Sequence, residues 1–259
     1  WENLKFSERG IVETQRKFFN TLSNVYSFFA TYANVDGYSS ASHIAIEDRP
    51  EMDRWIMSRL ASTAAEVHEA LEEYHPTRAA RAIEAFSDEL SNWYIRRNRR
   101  RFWSAKDAGS SDGDKSAAYQ TVVECLLTVS RLMAPIAPFY SDWMFRNVNS
   151  VVKSFPVESV HLTSFPSEEE RTANIDRALE HKMYLARTIS SIVLGLRNTA
   201  SINVRQPLPR ILTVTGANVE SNVIDQVAAI IREETNIKSI EYVEGSSDVV
   251  KRQAKANFK

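Results

Sequence analysis

The sequence predicts a mainly α protein: a helical bundle over residues 1–202, followed by the start of a small α/β unit over residues 203–259. Three observations carry this. Apolar side chains recur at three- and four-residue spacing through most of the first two hundred positions. Only seven of the 259 residues are glycine, too few for a large β architecture or for Gly-rich phosphate loops. After Arg205-Gln206-Pro207-Leu208-Pro209 the pattern changes to strand, helix, strand.

The elements follow in order. A first helix is expected from about Ser7 to Asn34, with Ile11, Phe18, Phe19, Leu22, Val25, Tyr26, Phe29 and Ala33 on its apolar stripe and Asp36-Gly37 as its stop. Ser39 to Asp48 reads as a linker of small residues. A second helix follows Pro50, with Met52, Ile56, Leu60, Thr63, Val67, Leu71 and Tyr74 facing inward and Asp48 as a cap. Pro76 opens a third helix, where its missing N–H costs nothing. That helix runs through Trp103 to an exposed loop over Lys106 to Lys115. The fourth, about Lys115 to Met133, ends at Ala134-Pro135-Ile136-Ala137-Pro138, because proline removes a donor and clashes with the preceding turn. A shorter helix holds Tyr140 to Asn147, and Val157 to Pro166 is an irregular crossover. Glu168 to Asn198 reads as one long helix that buries Ile175, Leu179, Met183, Ala186, Ile189, Val193 and Leu196. Strands are expected at Ile211 to Thr215 and Ile237 to Val243, around a helix over Val219 to Thr235. Helices joined by mostly short links pack as a bundle, and the two strands cannot close a sheet by themselves.

The formal net charge is −1, so no protein-wide field draws in nucleic acid. Any binding of that kind needs a local patch. One exists between Ser91 and Trp103, where five arginines (Arg96, Arg97, Arg99, Arg100 and Arg101) are bracketed by Trp93, Tyr94, Phe102 and Trp103. On a helix, Ile83, Phe86, Leu90, Trp93 and Tyr94 form an inward stripe whose continuation reaches Arg97 and Arg101, with Arg96, Arg99, Arg100 and Trp103 elsewhere. Guanidinium forks match phosphate oxygens and stack on rings, which suits an RNA backbone. A charged helix end paired with carboxylates is the other reading of the same residues.

Catalytic and metal-binding chemistry is not legible. The five histidines (His43, His68, His75, His161 and His181) are scattered. The single Cys125 excludes an internal disulfide or a Cys-cluster zinc site. There is no P-loop, G-x-G-x-x-G or G-x-S-x-G pattern. No apolar run reaches the ~20 residues needed to span a bilayer. The reducing environment that one cysteine suits fits a cytoplasmic location. The first residue, Trp1, and the basic tail suggest a piece of a longer protein.

Six stretches, taken in order, resemble the isoleucyl-tRNA synthetases, a class I aminoacyl-tRNA synthetase family. They are Trp1 to Phe6 (WENLKF), Phe18 to Tyr38, Tyr74 to Trp103 (YHPTRAARAIEAFSDELSNWYIRRNRRRFW), Leu132 to Phe145 (LMAPIAPFYSDWMF), Ser159 to Pro166 (SVHLTSFP) and Asn203 to Leu208 (NVRQPL). The resemblance runs end to end and implies the class Ia anticodon-binding helical bundle with the beginning of a C-terminal junction domain. It implies a role in attaching isoleucine to tRNA(Ile) with ATP, while the family's catalytic and editing domains, with their HIGH and KMSKS signatures, are absent from this stretch. The expectations are then tRNA(Ile) as partner, no cofactor in this region, ATP with magnesium in the parent enzyme, no membrane, and a monomer. The expected RNA-binding side chains are Arg96, Arg97, Arg99, Arg100, Arg101 and Trp103. Catalytic and metal-binding residues are not expected here. The alternative is a helical protein-interaction scaffold without RNA binding, in which the arginines pair with acidic residues.

Overall fold

The computed structural model describes residues 7–39, 43–103, 112–215 and 221–244. The opening WENLKF stretch and most of the loop expected after Trp103 lie outside the described residues. The chain forms two compact units, Trp1–Asp176 and Arg177–Lys259.

In the first unit, α1 (Glu8–Thr14), a π-helical turn (Gln15–Phe19) and α2 (Asn20–Asp36) follow without a break. Ser7 caps α1 by accepting the Gly10 N–H, and Gly37 ends α2 at φ 60°, a left-handed conformation that glycine adopts at little cost. Only the second half of the expected stripe is buried, through Leu22, Val25, Phe29 and Ala33, while Ile11 is exposed. The next helix, α3 (Glu51–Glu72), is buried nearly all round, with Trp55, Met57, Ala61 and Ala64 joining Ile56, Leu60 and Val67. Its N-cap is Pro50 rather than Asp48, which sits in a 3-10 turn at Ile46–Asp48. Tyr74, expected in the core, is exposed.

Pro76 opens α4 (Pro76–Asp88) at its first turn, and a π-helical stretch (Glu89–Ile95) leads directly into α5 (Arg96–Trp103). The fourth expected helix is α6 (Asp112–Met133), which starts three residues earlier than anticipated and buries Tyr119, Val122, Val123, Leu126, Val129, Ser130 and Met133. Helix α7 (Pro138–Val152) is longer than its expected core and packs on α6. A crossover with one 3-10 turn at Val160–Leu162 reaches α8 (Glu168–Thr172), which lies against α3. Ser167 and Glu170 form a reciprocal capping box at its start. The long helix expected from Glu168 is therefore broken, and it resumes only at Arg177.

The second unit begins with α9 (Arg177–Thr199), which packs on α10 (Ser221–Thr235). Strands β1 (Leu208–Thr215) and β2 (Ile237–Glu244) pair in parallel with Leu208 opposite Ile237, and α10 is the crossover between them. Ile224, Val227 and Ile231 form the buried face of α10. The buried Arg197 guanidinium donates to the carbonyls of Asn203, Gln206 and Asn236, fixing the Asn203–Leu208 link to the start of β2.

Candidate nucleic-acid interface

The arginine-rich segment is set by what happens just before it. Through α4 the buried positions Ala79, Ala82, Ile83, Phe86 and Leu90 keep α-helical spacing. A π turn accommodates an extra residue, which turns everything downstream by about 100° relative to an unbroken α-helix. Beyond Leu90 the buried face widens to Trp93, Tyr94 and Ile95 and continues through Asn98 and Phe102, which the sequence stripe through Arg97 and Arg101 does not include. Phe102 is 1% exposed and meets the edges of Phe28 and Tyr119 at ring separations of 5.0 and 5.1 Å. Asn98 donates to the Tyr94 carbonyl at 2.8 Å. Neither Asn98 nor Phe102 belongs to the stripe the sequence suggests. Phe102, an apolar residue next to three arginines, was the only local signal.

Arg101 is turned into the fold. Its guanidinium donates to both carboxylate oxygens of Asp53 at 2.6 and 2.8 Å and to the Asp114 carbonyl at 2.7 Å. Its side chain is 14% exposed and that of Asp53 is fully buried. The Tyr94 hydroxyl donates to the same Asp53 carboxylate at 2.7 Å. Burial, with the neighbouring Asp53 charge, pushes the Tyr94 phenol well above its usual range. Asp53 lies in the first turn of α3 and Asp114 in the first turn of α6, so Arg101 ties together the starts of two packed helices. The end of α5 thus sits against the first turns of both helices. The geometry gives Arg101, one of the expected RNA-binding side chains, a structural task at this junction.

Arg96 and Arg97 lie over the buried Trp93 indole, with their guanidinium carbons 5.7 and 5.5 Å from the ring centroid. Such stacking helps to hold the two guanidinium groups in place. Arg96 also donates to the Asn92 carbonyl. Arg99 and Arg100 are exposed and make no hydrogen bond or ion pair among the described residues. Trp103 is 56% exposed. Arg96, Arg99, Arg100 and Trp103 are spaced i, i+3, i+4 and i+7, so they share one face of the helix, away from Asn98 and Phe102. Three guanidinium groups and one indole on a single solvent face can bind phosphates and stack on an unpaired base.

Several other charges in the fold are committed to partners. Arg49, whose side chain is fully buried, grips Glu124 through two bonds of 2.8 and 2.9 Å. Arg78 is held by Glu69 and Glu73. Cys125 is buried, and that burial raises its thiol well above the usual range, which suppresses thiolate chemistry. Among the described residues no group of three or more His, Cys, Asp or Glu side chains is placed to hold a metal ion. No described helix is long and apolar enough to cross a membrane.

Residues 53–212 match the family model described as the anticodon-binding domain of tRNA ligase. Over its whole length the chain is 49% identical to an isoleucine–tRNA ligase of Cytophaga hutchinsonii and covers 23% of that protein. It is 46% identical over its whole length to one from Bacteroides fragilis, covering 22% of it. The identity to one from Deinococcus radiodurans is 39%, over 98% of the chain and 22% of that protein. The chain thus spans less than a quarter of the length of these curated relatives.

Proposed function

Since the chain belongs to the family of anticodon-binding domains of tRNA ligases, we propose that it is the tRNA-binding region of an isoleucine–tRNA ligase. In this reading it docks and orients tRNA(Ile), while ATP, magnesium and the chemistry that joins isoleucine to the RNA belong to other parts of the ligase. The region itself is catalytically silent, works in the cytoplasm and needs no second copy of itself. Similarity along the full chain to isoleucine–tRNA ligases supports the amino-acid assignment.

The observation that carries the RNA contact is the single face formed by Arg96, Arg99, Arg100 and Trp103. A scaffold that merely neutralised its arginines would treat Arg99 and Arg100 as it treats Arg101, whose partners are carboxylates. Both are instead exposed, with no carboxylate partner among the described residues, which suits a polyanion that brings its own charge.

Titrating the chain with transcripts of tRNA(Ile) and tRNA(Val) at two salt concentrations tests the reading. Salt-dependent binding that favours tRNA(Ile) is expected. Equal binding to both would move identity reading to other parts of the ligase. Absence of binding at low salt would sink the assignment of RNA docking to this region.

A further inference from the structure

We propose that the cleft at the turn between α3 and α4 seats one unpaired RNA base, with the Tyr74 ring as its stacking platform. The inference rests on the chain being an RNA-binding region, and it adds a second contact far from the arginine face.

Three described helix ends use the same closing geometry with different residues: α9 closes with Ser201 left-handed at φ 54° and the Ile202 N–H on the Arg197 carbonyl at 2.8 Å, and the other two are α2 and α3. At the end of α2, Gly37 is left-handed at φ 60° and the Tyr38 N–H reaches back to the Ala33 carbonyl at 2.8 Å. At the end of α3, the left-handed residue is Tyr74 at φ 58°, and the His75 N–H reaches the Ala70 carbonyl at 2.7 Å. Glycine takes this conformation freely, whereas a bulky aromatic residue is strained there. Burial of the ring does not offset that strain, because Tyr74 is 90% exposed. A strained backbone holding a large ring in solvent is a poor arrangement for folding and a good one for presenting a flat surface to a ligand.

The ring borders an open cleft of about 600 Å³, which Glu66, Thr77 and Arg81 also line. Its chemistry favours a base over a phosphate. The nearby Arg78 is bonded to Glu69 and Glu73 and lies 3.9 Å from Glu66, so its charge is already offset, and the remaining lining cation, Arg81, shares the cleft with the Glu66 carboxylate, which disfavours a phosphate. A base is uncharged and has a π-face for Tyr74. Its amino groups can donate to Glu66, and its ring and carbonyl acceptors can take hydrogen bonds from Thr77 or Arg81. Stacked bases must be unpaired, which points to a single-stranded loop.

Position adds a size requirement. Arg101 places the arginine face at the start of α3, and Tyr74 follows its last turn. A helix of 22 residues is about 33 Å long, so an RNA that fills both sites must span roughly that distance.

The test uses Tyr74→Gly, which removes the ring while relieving the left-handed strain, so its thermal midpoint should match or exceed that of the parent chain. Affinity is measured for a tRNA(Ile) transcript and for a blunt RNA duplex. The variant should bind the transcript about tenfold more weakly and the duplex equally well, and Tyr74→Phe should bind like the parent. Unchanged transcript binding by Tyr74→Gly, alongside weakened binding by an Arg99→Ala/Arg100→Ala double variant, would overturn the base seat and leave RNA docking standing. Equal losses on transcript and duplex would also overturn it, since a base contact is absent from the duplex. A parent chain that binds neither RNA would sink both the seat and the functional reading beneath it.

Discussion

Arg101 and Asp53 meet through two parallel hydrogen bonds of 2.6 and 2.8 Å inside the first unit, although both sit in charge-rich helix ends. Burial works against the guanidinium charge, and the bonds to Asp53 more than offset it, so Arg101 holds its proton more tightly than usual. Removing one partner strands the other charge in a buried site. Asp53→Ala is therefore expected to cost about 3–5 kcal/mol in urea unfolding. Arg101→Lys should also destabilise, because a single ammonium cannot reproduce the two-pronged contact. A loss below about 1 kcal/mol for Asp53→Ala would mean that water already screens the pair.

The π turn before α5 makes two adjacent aromatic residues unequal. Phe102→Ala should cost about 3–5 kcal/mol, because its ring is fully enclosed. Trp103→Ala should change stability by no more than about 0.5 kcal/mol. Comparable losses at the two positions, read by chemical denaturation, would contradict the rotation assigned to α5.

The solvent face of α5 has an electrostatic signature. Replacing Arg99 and Arg100 with alanine should lower the slope of log affinity for tRNA against log salt by about 0.7–0.9 for each phosphate that these side chains neutralise. Stability should hardly change, since neither side chain is bonded to another described residue. A preserved slope would take both arginines out of the interface.

Glu170 gives a dependence on pH. The hydrogen bond from Arg131 holds its carboxyl below the usual 4.5, with the backbone N–H of Ser167 assisting. A lowered folded-state value means the contribution is fully present above about pH 4.5 and fades as the pH falls through the lowered value. Because Glu170 is 46% exposed, the effect belongs to the surface-pair range of about 0.2–1 kcal/mol. Glu170→Gln should flatten the acid limb of a stability–pH profile by that amount, and an identical profile would exclude the linkage.

Cys125 reports on opening of the bundle. Burial pushes its thiol up and keeps reagents away, so Ellman's reagent should leave the native chain unlabelled and react readily in urea. Rapid labelling without denaturant would show that α6 is loosely packed.

Much of this protein is written locally in its sequence. The repeat of apolar residues in α6 and the first part of α4 marks the faces that are buried, Pro76 marks where a helix begins, and the Pro135–Pro138 stretch marks where α6 ends. The strand–helix–strand order after Pro207 is equally legible, because alternation and helical spacing are properties of short windows. The arginine run is visible for the same reason, and the ordered motifs point to the family. What short windows cannot carry is phase and partnership. The sequence treats Arg96 to Arg101 as five similar cations. The fold separates them: a π turn rotates α5 by about one residue, and Asp53, distant in sequence, claims Arg101. The left-handed placement of Tyr74 is decided in the same way, by how α3 closes onto the start of α4. Helices and their apolar faces follow from local spacing, whereas the outward set Arg96, Arg99, Arg100 and Trp103 exists only because buried groups elsewhere fix the rotation of the helix that bears them.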